Sequence, residues 1–140
     1  MKKPPAWFYV LAGLALLWNV AGLLAVVADL RLSAADIAAL PPEQQAMYAA
    51  RPLWSVVGSV IAVVAGTLAS LLLLLRKHWA IALFGISLLG VVIQDLGIFV
   101  VTRAAKTGDM TPLVLQSLVL VIAVALLVLA RRARANGWLT

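Results

Sequence analysis

Four long apolar stretches, near Ala6–Ala28, Leu53–Leu75, Trp79–Val101 and Leu113–Ala130, decide what solvent this chain folds in. Each is long enough to cross, as a helix, a hydrocarbon layer about 30 Å thick. In lipid the backbone must satisfy its own hydrogen bonds, and apolar runs of this length without period-two alternation read as helices and not barrel strands. The expected fold is therefore an all-α integral membrane protein, a four-transmembrane-helix bundle forming a single membrane domain over residues 1–140. Composition points the same way, with 65% hydrophobic residues, 11% charged and a mean hydropathy of +1.11. A soluble domain carries about a quarter charged residues to keep its surface wet, and a disordered chain is poor in apolar ones. At roughly 20 residues per span, the remainder is too short for a large extramembrane catalytic domain.

The first span begins after Lys2-Lys3, and Val26-Val27-Ala28 superficially resembles a signal-peptide cleavage site. Its apolar length exceeds the roughly 7–15 residues of a signal core, so it is expected to be retained. Orientation follows from the basic residues. Lys2, Lys3, Arg76, Lys77, Arg131, Arg132 and Arg134 fall on one side, whereas Arg31, Arg51, Arg103 and Lys106 are offset by Asp29, Asp36, Glu43 and Asp109 on the other. The positive-inside bias places both termini in the cytoplasm. These short clusters beside spans form no basic folded surface with aromatic platforms, so the net charge of +6 implies anionic lipid headgroups and no nucleic acid. Trp7, Tyr9, Trp54, Trp79 and Trp138 lie near span ends, as interfacial aromatics do.

The connections differ in length. Arg76-Lys77-His78 is a tight turn that makes the second and third spans antiparallel neighbours, with His78 expected as a solvated polar residue. Residues 29–52 form the longest connection. Ser33 and Asp36 fit a capping box, Pro41-Pro42 ends one short helix, Pro42 opens a second, and Pro52 closes it. This segment is expected to lie on the outer surface as a short helical lid, or to serve only as a spacer. Thr107-Gly108-Asp109 reads as an ordinary turn.

Polar residues within the spans supply the functional lead. Pocket candidates are Asn19, Ser55, Ser59, Gln94, Asp95 and Gln116, and Asp95 is the one acid in any span. Counted from the expected outer span ends at about 1.5 Å per residue, Asn19 lies roughly 13 Å deep, Asp95 roughly 10 Å, Ser59 roughly 9 Å and Gln116 roughly 6 Å. This predicts one polar layer in the outer half of the membrane. Helical phase turns the amides inward and sets Asp95 about 100° from Gln94. Asp95 is expected to be uncharged, or hydrogen-bonded to Gln94, Asn19 or a water, because an ionised group in lipid is costly. Gly58, Ala62, Gly66, Ser70, Gly90 and Gly97 are the expected close-packing positions, serving either contacts within the chain or a homo-oligomer.

Reactive groups are few. The chain has no Cys and one His, and no acid pair lies in a span, so no metal site, cofactor site or nucleophile with its base is expected. Trp18-Asn19 with Gly22, Leu40-Pro41, Tyr48 with Pro52 and Trp54, Ala62-Val63 with Gly66-Thr67-Leu68, the Leu-rich run to Arg76-Lys77, and Ser87-Leu88 with Gln94 resemble a group of small bacterial four-span inner-membrane proteins. Some of these are loosely labelled sugar transporters. The resemblance implies a bacterial cytoplasmic membrane and carries over no activity. The sequence expectation is thus a non-enzymatic binding or accessory protein with an outward-facing polar pocket for a lipid, a small amphiphile or a partner membrane protein. The alternative is a small proton-coupled transporter, working as an oligomer with Asp95 as its titrating group.

Overall fold

The computed structural model describes residues 2–101 and 111–140, and within them the chain is all-helical. Six helices follow one another: α1 (Ala6–Leu30), α2 (Ala34–Ala38), α3 (Pro42–Ala50), α4 (Leu53–Leu74), α5 (Trp79–Leu96) and α6 (Thr111–Ala135), with a π-helical turn over Gly97–Val101 continuing α5. Four of them, over Ala6–Leu30, Leu53–Leu74, Trp79–Val100 and Leu113–Ala135, are long and apolar enough to cross a membrane, the architecture of a multi-pass membrane protein. The turn expected at Thr107-Gly108-Asp109 lies outside the described residues.

The last helix differs from expectation in length. It runs on past Ala130 through the basic cluster to Ala135, with Arg132 and Arg134 in its final turn. Cations there complement the partial negative charge of a helix C-terminus, so the cluster extends the helix where the apolar run alone would end it. The third span also differs, closing in a π turn where continuous α-helix was expected.

α1 packs on α4, α4 on α5 and α5 on α6. The α4–α5 seam is the tightest of these. A Cβ added at Gly90 would lie 2.7 Å from Ala62 N and 2.7 Å from Gly58 O, so the two backbones touch where only glycine fits. Hydroxyls tie the same seam: Ser87 Oγ donates to Ala62 O at 2.6 Å, and Ser55 Oγ donates to Gln94 O at 3.1 Å. Gly97 abuts Ser55 in the same way, leaving no room for a side chain. Small residues act here as they do throughout membrane proteins, where close backbone approach replaces the hydrophobic effect as the driving force.

Both termini and the Arg76-Lys77-His78 turn share one end of the bundle. α4 and α6 each finish there in a Schellman motif. Lys77 N donates to Leu72 O and Arg76 N to Leu73 O, while Trp138 N donates to Ala133 O and Gly137 N to Arg134 O. The residue in the left-handed conformation is Gly137 in one case (φ 75°) and Arg76 in the other (φ 60°). A left-handed non-glycine costs about 1 kcal/mol, and Arg76 recovers hydrogen bonds in exchange: its guanidinium reaches Trp138 O at 2.9 Å and Lys2 O. Beneath this clasp lies the buried cluster of Phe8, Ala12, Ala69, Leu73, Ala80, Phe84, Ala130, Ala133 and Leu139. Trp138 packs edge-on against both Trp7 and Phe8, with centroids 5.4 Å apart in each pair. The C-terminal segment links α6 to the start of the chain at this end, with Lys2 N donating to Gly137 O at 2.8 Å.

At the opposite end, α2 and α3 carry no buried residue. The capping box forms: Ser33 Oγ accepts from Asp36 N at 3.1 Å, and Ser33 N donates to Asp36 Oδ2 at 2.9 Å. α3 is held to the end of α1 by Asp29, which accepts from Tyr48 OH at 2.6 Å and pairs with Arg51 at 2.7 Å. The Arg51 guanidinium also stands 4.9 Å from the Tyr48 ring centroid.

Candidate functional site

A cleft lies between α1 and α6, floored by α4 and α5. Its volume is about 290 Å³. α1 contributes Trp18, Asn19 and Gly22 to one wall; α6 contributes Gln116, Val119 and Ala123 to the other. Ala62, Val63, Phe84, Ser87, Val91 and Gln94 form the floor. Among the described residues the lining is apolar but for Asn19, Ser87, Gln94 and Gln116, and none of its side chains is charged.

Two of these polar groups are engaged. Ser87 spends its hydroxyl on the α4–α5 seam. Asn19 Nδ2 donates to Ala15 O at 2.9 Å and to Ser70 Oγ at 3.1 Å, and Ser70 Oγ in turn donates to Gly66 O at 2.8 Å. The Asn19 carbonyl oxygen rests against Gly66, where any Cβ would collide with it. Gly66 therefore makes room for an asparagine from the neighbouring helix. An interhelical bond of this kind contributes about 0.6–2 kcal/mol.

The other two amides are not tied to the described residues. Gln116 Oε1 is buried without a hydrogen-bond partner, and the Gln94 carboxamide makes no hydrogen bond among the described residues, although its backbone oxygen accepts from Ser55. An unpaired buried acceptor costs on the order of 1–3 kcal/mol, and more of that cost is felt where lipid supplies no substitute.

The pocket candidates thus separate into groups. Asn19, Gln94 and Gln116 line the cleft; Ser55, Ser59 and Asp95 do not. Ser55 belongs to the α4–α5 seam, and Ser59 Oγ donates to Ser55 O within its own helix at 3.2 Å. Asp95 lies one turn from Val91 on α5, half-buried, with Oδ1 enclosed and unpaired; it bonds neither Gln94 nor Asn19. Nor do the polar groups form a single outer layer. Asn19 pairs with Ser70 beside Ser87, and Ser87 is seven residues from Gln94 on α5, about 10 Å along the helix. Counting depth from span ends ignores where α1 slides against α4, and that contact sets the level of Asn19.

None of the cleft lining comes from residues 29–52. Their polar cluster is a separate feature that sequence reasoning did not assemble, although Asp29 and Arg51 bracket the segment with opposite charges. Burial of Tyr48, aided by its bond to Asp29, raises the phenol pKa above the ordinary value. The Ser33 backbone and hydroxyl lower the pKa of Asp36 below the usual carboxylate value. No group of metal-ligating side chains occurs among the described residues.

Comparison with protein-family models, curated proteins and solved structures gives no match.

Proposed function

We propose that this chain is a non-enzymatic binding or accessory protein of the bacterial cytoplasmic membrane, and that the α1–α6 cleft takes a lipid or small amphiphile. The observation that carries this reading is the pairing of a cleft whose described lining is apolar and uncharged with the buried, unpartnered Gln116 Oε1 and the Gln94 carboxamide. Apolar walls with a few convergent polar groups are what a ligand pocket needs for affinity and orientation. In a helix bundle crossing a membrane, a gap between two spans is reached most directly from the lipid.

The gathering of Lys2, Lys3, Arg76, Lys77, Arg131, Arg132 and Arg134 at the terminal end supports a cytoplasmic location for both termini. Residues 29–52 then stand on the outer face as a lid or spacer near the cleft mouth. Binding takes precedence over proton-coupled transport because Asp95 lies off the cleft lining. Native mass spectrometry of the protein extracted in a mild detergent tests the reading. A co-purifying amphiphile, lost when Ala123→Trp fills the cleft wall, is the expected result. A ligand-free monomer that also fails to take up added lipid overturns it.

A further inference from the structure

The chemistry of these two amides narrows what the cleft can hold. A charged head is unsuited, since no charged side chain among the described residues lines the cleft and an unpaired ion in an apolar site carries a heavy desolvation cost. A pure hydrocarbon fills the apolar walls and leaves Gln116 Oε1 unpaired, and it offers nothing to the Gln94 carboxamide beside it in the lining. A carboxamide both donates and accepts. Its best complement is a group that also does both, without charge, such as a hydroxyl or an amide. An ester or ether only accepts, so it satisfies the Nε2 donors and never an Oε1 acceptor.

Position along the cleft fixes the polarity of the ligand. Gln94 and Gln116 lie toward the end that carries α2 and α3: Gln94 is near the end of α5, and Gln116 is in the second turn of α6. From there the lining runs past Val91, Val119 and Ile122 to Phe84 and Leu126, next to the closed terminal cluster. A head seated at the amides would send its chain toward Phe84.

We infer that the cleft selects an uncharged single-chain amphiphile whose head both donates and accepts hydrogen bonds, with Gln94 and Gln116 reading the head and the channel toward Phe84 holding the chain. This inference rests on the cleft being the binding site proposed above.

The test titrates the full chain in detergent micelles with three probes that share an oleoyl or oleyl chain. They are 1-monooleoylglycerol, with hydroxyls; methyl oleate, which only accepts; and oleylamine at neutral pH, which is cationic. Native mass spectrometry gives stoichiometry and, from pairwise competition between probes, relative affinity. The inference expects one monooleoylglycerol per chain, bound roughly fivefold or more tightly than methyl oleate, as one net hydrogen bond implies, with oleylamine the weakest. Gln116→Leu should erase the preference for hydroxyls while methyl oleate still binds, which also shows that the variant is folded; Gln94→Leu supplies a second, independent variant. Equal binding of monooleoylglycerol and methyl oleate overturns the inference, as does tightest binding of oleylamine, while either result leaves the cleft reading standing. Failure of all three probes to bind overturns both.

Discussion

The α4–α5 seam and the α1–α6 cleft are built from nearly the same kinds of residue, yet one is closed to a single methyl group and the other holds a cavity. Along the seam, Gly58, Ala62, Ser87, Gly90 and Gly97 bring backbone to backbone, and every hydroxyl there finds a carbonyl. Across the cleft, α1 offers Gly22, Ala21 and Ala25 toward α6, which answers with Val119, Ile122 and Ala123, and a cavity separates them. Small residues alone do not close an interface. Closure needs matched small faces and polar groups that pair across them, and the cleft has neither.

The strongest way to break this contrast is to enlarge a seam glycine. Gly90→Leu must displace the backbone of Ala62 and Gly58, so it should cost about 3 kcal/mol or more, or abolish folding. Gly85, which faces open space, is the control: Gly85→Ala should change stability by less than about 0.5 kcal/mol in the same denaturation measured in mixed micelles. If the two glycines prove equally tolerant, the seam is not close-packed.

In the cleft the sign should reverse. Gln116→Leu removes an unpaired buried acceptor, so the ligand-free protein should gain on the order of 1 kcal/mol in reversible unfolding. A loss of similar size would mean that the amide is already satisfied. Ser87→Ala sharpens the comparison from the seam side. Removing its 2.6 Å bond to Ala62 O should cost about 0.6–1.7 kcal/mol, and a double-mutant cycle with Gln116→Leu should be close to additive if seam and cleft are independent.

The smallest effect belongs to the polar cluster at the end of α1. Since the Tyr48 phenol has a raised pKa, its contribution to stability is complete below the ordinary tyrosine value of 10.0 and is lost as pH rises through the higher folded value. Ultraviolet titration should show Tyr48 ionising above the ordinary 10.0, and Asp29→Asn should bring it back toward that value. No change in Asp29→Asn would leave burial as the whole cause. The Asp36 carboxyl works in the opposite direction: its lowered pKa gives stability above the ordinary value of 3.8, lost as pH falls through the folded value.

Much of the fold was legible. The apolar runs located four membrane-length helices, and Ser33 with Asp36 and Pro42 located the caps of α2 and α3, because these are local properties of the chain. The site was legible only in part. Asn19, Gln94 and Gln116 stand out in any list of polar residues within spans, but nothing local says that Asn19 belongs to Ser70 while Gln116 Oε1 is left unpaired. Likewise Asp95 is conspicuous in sequence and lies off the cleft, and the Asp29–Arg51–Tyr48 cluster joins residues about 20 positions apart that no short-range pattern connects.

By itself the sequence determined the solvent, the number of long helices and where several of them begin, since an apolar run must hydrogen-bond its own backbone wherever it meets hydrocarbon. Tertiary structure alone decided which faces close and which stay apart. Tilt, rotation and sliding depth of each helix are set by packing against its neighbours and not by its length. For that reason the glycine contacts of α4 and α5, and the cleft between α1 and α6, are features that no reading of separate spans contains.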